Sequence, residues 1–177
     1  MATESTVNFL IRQFDDCEIT KVETVQSLWS GYGELARYYL PKQRKTIVVK
    51  HIEPPSSINH PRGWNTDISH QRKLRSYEVE VQFYRDFAAQ CDDFCRVPTL
   101  LASHTEGAST WLVLEDLDQS GFTLRFNDTS MEWIRYGLRW LAYFHANFMT
   151  TTAEKLWPIG TYWHLGTRPD EFAKMPD

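Results

Sequence analysis

The chain has 177 residues, a formal net charge of -4 at neutral pH and a pI near 5.9, so it lacks a global field to draw in a nucleic-acid backbone or an anionic membrane. Hydrophobic residues make up 42% and aromatics 14%, which excludes a disordered or fibrous chain and allows a core in one domain, or in one small lobe with the start of another. The start MATESTVNFL lacks a basic, long-apolar leader and no stretch approaches the roughly 18 apolar residues of a membrane span, so a soluble cytoplasmic protein is expected.

In chain order, residues 5–14 set Val7, Leu10, Ile11 and Phe14 at helical spacing behind Ser5 and Thr6 as caps, predicting a short leading helix. An imperfect alternation over 19–29 predicts a strand, broken by the glycines of Ser30-Gly31-Tyr32-Gly33. Residues 35–40 and 46–52 follow as strands across the polar turn 41–45, and three antiparallel strands in sequence are the simplest arrangement. Ile47, Val48 and Val49 belong in a buried strand, yet Lys50 follows directly. It is either the solvated end of an edge strand or a cation held at the mouth of a pocket.

The segment 53–70 holds three prolines and one glycine without a period, which predicts a long loop that is functional or mobile. His51, His60 and His70 fit no single helix or tight turn and read as ordinary histidines rather than a metal set. Over 71–90 a helix is predicted, with Leu74, Tyr77, Val81, Tyr84 and Ala88 on one stripe. Glu80 falls inside its apolar arc and Glu78 outside, so Glu80 needs a partner. The three cysteines, Cys17, Cys91 and Cys95, match no zinc or redox spacing and read as packed free thiols.

Strands over 97–104 and 110–115 come next, around the turn 105–109, and a polar connection then leads to Thr129 or Ser130 as helix caps. The helix 131–149 carries Ile134, Leu138, Leu141, His145 and Phe148 on one face, His145 reading as a hydrogen-bonded core residue. With Trp140, Tyr143 and Phe144 its apolar surface exceeds what one lobe covers, so an exposed, self-associating patch is expected unless the aperiodic tail, 156–172, folds back over it.

Lys50 and Glu80 explain one another. An amine leaving a sheet and a carboxylate on the inner face of the helix packed over it can pair, and the pair leaves the amine aimed at an anion. Around them stand, in order, SGYGE (30–34), VVK (48–50), SYEVEVQFY (76–84), LVLEDL (112–117) and WLAYFHA (140–146). In this order the chain resembles, over 19–146, the kinase-like phosphotransferases of the aminoglycoside phosphotransferase and choline kinase type, most closely the ecdysteroid-kinase-like branch.

The resemblance implies an α+β, protein-kinase-like N-lobe over 1–117, with a five-stranded antiparallel sheet and one large helix, then a hinge and the incomplete start of a helical C-lobe over 118–177. It implies ATP-dependent phosphoryl transfer to the hydroxyl of a small molecule, with Mg2+ whose ligands lie outside this chain. Lys50 would hold the phosphates and Glu80 would position it; Gly31, Tyr32 and Gly33 would form the loop over the phosphates, and the backbone of Glu115 and Leu117 would meet the adenine. A plain hairpin turn accounts for the glycine pair equally well.

The family's His-x-Asp run, its following Asn and its later metal-binding Asp have no counterpart. His104, His145 and His164 are followed two residues on by Glu106, Asn147 and Gly166. No catalytic residue is therefore assigned, and the expectation is the nucleotide-binding half of such an enzyme. The alternative is a non-catalytic binding or interaction module, or an inactive truncated kinase-like protein. Neither nucleic acid nor membrane is expected as a partner.

Overall fold

Period-two alternation in the apolar runs builds a sheet with two covered faces. The structure, a computed structural model, describes residues 5–55, 67–126, 129–159 and 164–173. Its elements are α1 (Thr6–Phe14), β1 (Thr20–Ser27), β2 (Gly33–Leu40), β3 (Lys45–Ile52), α2 (Asp67–Asp86), β4 (Leu100–Glu106), β5 (Ser109–Glu115), α3 (Met131–Phe148) and the short α4 (Pro169–Phe172). The fold is α+β, with a five-stranded sheet in the order β1-β2-β3-β5-β4. Every pairing is antiparallel.

On one face Ile47 and Val49 of β3 and Trp111 and Val113 of β5 pack with Phe9 and Leu10 of α1. The Ser5 hydroxyl accepts from the Asn8 N–H to cap α1, and Asp15 in left-handed backbone (φ 50) ends it. The Trp111 indole donates to Thr6 Oγ1 at 2.9 Å, so the buried ring has its polar partner. On the other face Leu112 and Leu114 meet Val81 and Tyr84 of α2. β5 is thus covered on both sides, while β1 is exposed along its whole length and carries irregularities between Lys21 and Glu23 and between Thr24 and Gln26.

Several boundaries differ from the sequence reading. β4 begins at Leu100 rather than 97, because Pro98 has no N–H for a ladder and Thr99 instead exchanges backbone and side-chain bonds with Glu115. α2 begins at Asp67, whose carboxylate suits the positive end of a helix, and ends at Asp86, after which 88–90 tighten into a 3-10 turn. Of the predicted loop 53–70, the last four residues are therefore helical, and 56–66, with His60, lie outside the described residues.

α3 is capped by Ser130 and docks through Trp140, Phe144 and Phe148. Phe144 and Phe148 stand 5.9 and 6.2 Å from the Phe83 ring, and Trp140 Nε1 donates to the Arg96 carbonyl at 3.0 Å. Leu138, at 60% exposure, and Leu141 face outward, and His145 is exposed rather than a core histidine. A helical stripe reveals that a face is apolar, not which neighbour covers it. The described part of the tail meets α2, where Arg72 donates to the Thr167 carbonyl and to Glu171, and Arg75 to the Lys155 carbonyl; Tyr162 and Trp163 lie outside the described residues. Among the described residues no helix is long and apolar enough to cross a membrane.

Candidate functional site

Lys50 sits inside the sheet, between Leu35 of β2 and Leu112 of β5, so it is not the end of an edge strand. Alternation from Val49, on the α1 side, turns its side chain to the face that α2 covers. There its Nζ donates to Glu80 Oε2 at 2.6 Å, with the lysine side chain 17% exposed and the glutamate 31%. The Tyr77 ring lies 5.1 Å from the same amine. An ammonium has three donors, and Glu80 takes one of them here, so Lys50 keeps capacity for an anion at the rim.

Of the glycine segment, Tyr32 is fully buried. Its hydroxyl is 2.5 Å from His70 Nδ1, and its ring is 6.0 Å from that of Tyr77. Burial raises its phenol above the usual tyrosine range. Tucking this ring inward requires unusual backbone on both sides: Ser30, Gly31 and Gly33 have φ of 59, 74 and 122. Gly33 also admits no side chain, since a Cβ there would stand 2.0 Å from the His51 carbonyl oxygen. The segment is thus more than an open hairpin turn, and it brings Tyr32 into the same cluster as Lys50 and Glu80.

Glu115 ends β5. Its N–H donates to the Thr99 carbonyl, and its carboxylate accepts from the Thr99 N–H, the Ser120 hydroxyl and Arg96. Burial works against ionisation of this group, but the bonds from Thr99 and Ser120 outweigh it and hold its carboxyl below the usual range. Leu117 follows; its carbonyl accepts from the Phe122 N–H, while its own N–H has no acceptor among the described residues. Between them Asp116, 5% exposed, accepts from Arg37 Nε at 2.7 Å, from the Thr46 hydroxyl at 2.6 Å and from the Asp118 N–H at 3.1 Å. Arg37 in turn reaches Glu23 and Asp118. This charged knot ties the connector to β2 and β3.

Sequence reasoning missed Arg37 and Asp116, which are 79 residues apart and carry no local pattern. It considered Lys73 only as a surface partner for Glu80 and gave it no place in the site, although Lys73, one turn before Tyr77 and two before Glu80 on α2, shares their face. His51 stacks on Trp111 at 4.6 Å on the α1 side, whereas His70 meets Tyr32 beside α2, so the two do not converge. Cys91 and Cys95 are free thiols that interact with each other on the loop after α2, whereas Cys17, expected to be packed, is exposed. Burial, with Cys95 beside it, pushes the Cys91 thiol up to about 11. No protein-family model matches the chain, and no curated protein matches it.

Proposed function

We propose that the chain is the nucleotide-binding part of a kinase-like small-molecule phosphotransferase, with a protein-kinase-like N-lobe over 1–117 followed by a hinge and the first helix of a C-lobe. The observation that carries the reading is the contact between Lys50 Nζ and Glu80 Oε2, made between a central strand and the helix packed on its face. Glu80 orients the amine, and the remaining N–H donors of Lys50 take nucleotide phosphates. The strand order supports the same reading. The backbone N–H of Leu117 is a donor for adenine, on a connector held still by Asp116; the N–H of Glu115 is already engaged by Thr99.

ATP bound with Mg2+ supplies the phosphoryl group, and the acceptor is a small-molecule hydroxyl. Among the described residues no three His, Cys, Asp or Glu side chains gather to hold a metal. No step is therefore assigned to one, and no residue of this chain is given the role of base. In the sequence no histidine is followed two residues on by aspartate. That favours a second reading, in which the chain binds nucleotide as an interaction module and turns nothing over.

Titration of Lys50→Ala and Lys45→Ala with a non-hydrolysable ATP analogue tests the first reading. Loss of a charge-assisted phosphate contact weakens binding by about tenfold or more in Lys50→Ala, and Lys45→Ala stays near wild type. Equal effects reject the site. Release of ADP from ATP in the presence of candidate alcohols separates the enzyme from the module.

A further inference from the structure

The N-terminal half of α2 is basic, and its arginines have acidic partners. Arg72 is bound to Glu171 and Arg75 to Glu78. Lys73 stands between them and has no carboxylate among the described residues. Its ammonium lies 4.6 Å from the centroid of the buried Tyr32 ring, on the side of α2 that also shows Tyr77 and Glu80. The segment 56–66 that leads into α2 contains Arg62 and no acidic residue, so its sequence offers no counter-ion either. A partly desolvated ammonium with no anion is costly, and burial holds the Lys73 amine below the usual lysine range, with Arg72 adding to the effect.

Among the described residues the cluster's charges do not balance. Glu80 is already matched by Lys50, and Lys73 supplies one further positive charge across the rings of Tyr77 and Tyr32. We propose that Lys73 is a second anion-binding residue, which takes the terminal phosphate of a bound nucleoside triphosphate while Lys50 takes the phosphates nearer the nucleoside. The face of the Tyr32 ring, 4.6 Å from the ammonium, holds it beside the cluster. Lys73 holds this place in a nucleotide only if Lys50 acts as proposed above.

Calorimetric titration of wild type, Lys73→Met, Lys73→Arg and Lys50→Met with a non-hydrolysable ATP analogue, ADP and inorganic pyrophosphate tests the assignment. Lys73→Met keeps a long unbranched side chain without the charge, and unchanged far-ultraviolet dichroism and thermal midpoint establish that it is folded. The expected result is about tenfold weaker binding of the triphosphate with ADP changed less than about twofold, most of the loss restored in Lys73→Arg, and both nucleotides weakened in Lys50→Met. At alkaline pH, binding of the triphosphate also takes up more protons in wild type than in Lys73→Met.

Triphosphate binding unchanged in Lys73→Met, with Lys50→Met weakened for both nucleotides, overturns the role of Lys73 and leaves the nucleotide site standing. Pyrophosphate binding that depends on Lys73, with no nucleotide binding, upholds an anion site at Lys73 and removes the nucleotide reading. Binding of none of the three ligands by wild type removes both.

Discussion

Replacing Asp116 by alanine tests whether the connector after β5 is held by charge. In the folded chain its carboxylate accepts from Arg37 at 2.7 and 3.3 Å, from Thr46 at 2.6 Å and from the Asp118 amide at 3.1 Å. The aspartate side chain is 4% exposed and the arginine 18%. Removing one member of such a pair costs about 3–5 kcal/mol when the other charge is stranded. Arg37 retains Glu23 and Asp118, so the expected loss is near the lower figure, about 3 kcal/mol. Urea unfolding followed by tryptophan fluorescence measures it, and a double-mutant cycle with Arg37→Met should return a coupling of about 2 kcal/mol.

Asp116→Asn adds the pH arm. Burial opposes ionisation of Asp116, but the bonds from Arg37 and Thr46 outweigh it, and the folded pKa lies below the ordinary aspartate value. Its stabilisation is therefore complete above the unfolded pKa, about 3.9, and is lost as pH falls through the folded one. The stability gap between wild type and Asp116→Asn should narrow on acidification below about pH 4. An additive cycle, or Asp116→Ala within about 1 kcal/mol of wild type, would refute the knot as the anchor of the connector.

Gly33→Ala, which drives a Cβ to 2.0 Å from the His51 carbonyl at a φ of 122, should cost more than about 2 kcal/mol in the same assay. Gly31→Ala, with open space around it, should cost only about 1 kcal/mol. At pH 8 an aromatic disulfide reagent should modify exposed Cys17 quickly, Cys91 slowly because its thiol is pushed up to about 11, and buried Cys95 only on unfolding. Equal rates at Cys17 and Cys91 would contradict the packing of that loop. Leu138→Glu, at a position 60% exposed, should change stability by less than about 0.5 kcal/mol and reduce binding of a hydrophobic dye. A loss of several times that would mean that the face of α3 is covered.

What could be read without coordinates follows the range of the interactions. Helical spacing in 6–14 and 131–148 and β-branched runs in 45–52 and 109–115 are local, and those elements lie within two residues of the sequence reading. The inward position of Glu80 is also local, because rotation about α2 alone separates it from Glu78. The burial of Tyr32 was not legible, since it stands between two glycines in a segment that reads as a turn. Its place comes from His70 and Tyr77, which only the fold brings near. Arg37 gave no signal because two of its three partners, Asp116 and Asp118, lie on the connector, far along the chain, and only Glu23 is on the neighbouring strand. His145 was assigned to a core by its stripe, and the docking of α3 through Trp140, Phe144 and Phe148 leaves it outside.

The strand order has a consequence for how the chain reaches this state. Three seams of the sheet, β1 to β2, β2 to β3 and β4 to β5, join strands adjacent in sequence and form as hairpins over short loops. The fourth, where 47–52 meet 110–115, must wait for the long connection that contains α2 to close. Lys50 lies on that seam opposite Leu112, so its carboxylate partner on α2 and the strand beside it arrive in one slow, non-local step. Trimming Val49 or Val113, which pair across the seam, should therefore slow refolding more than trimming Ala36 or Val22 in the first hairpin. The cation site would be the last part of the sheet to exist and, under denaturant, among the first to come apart.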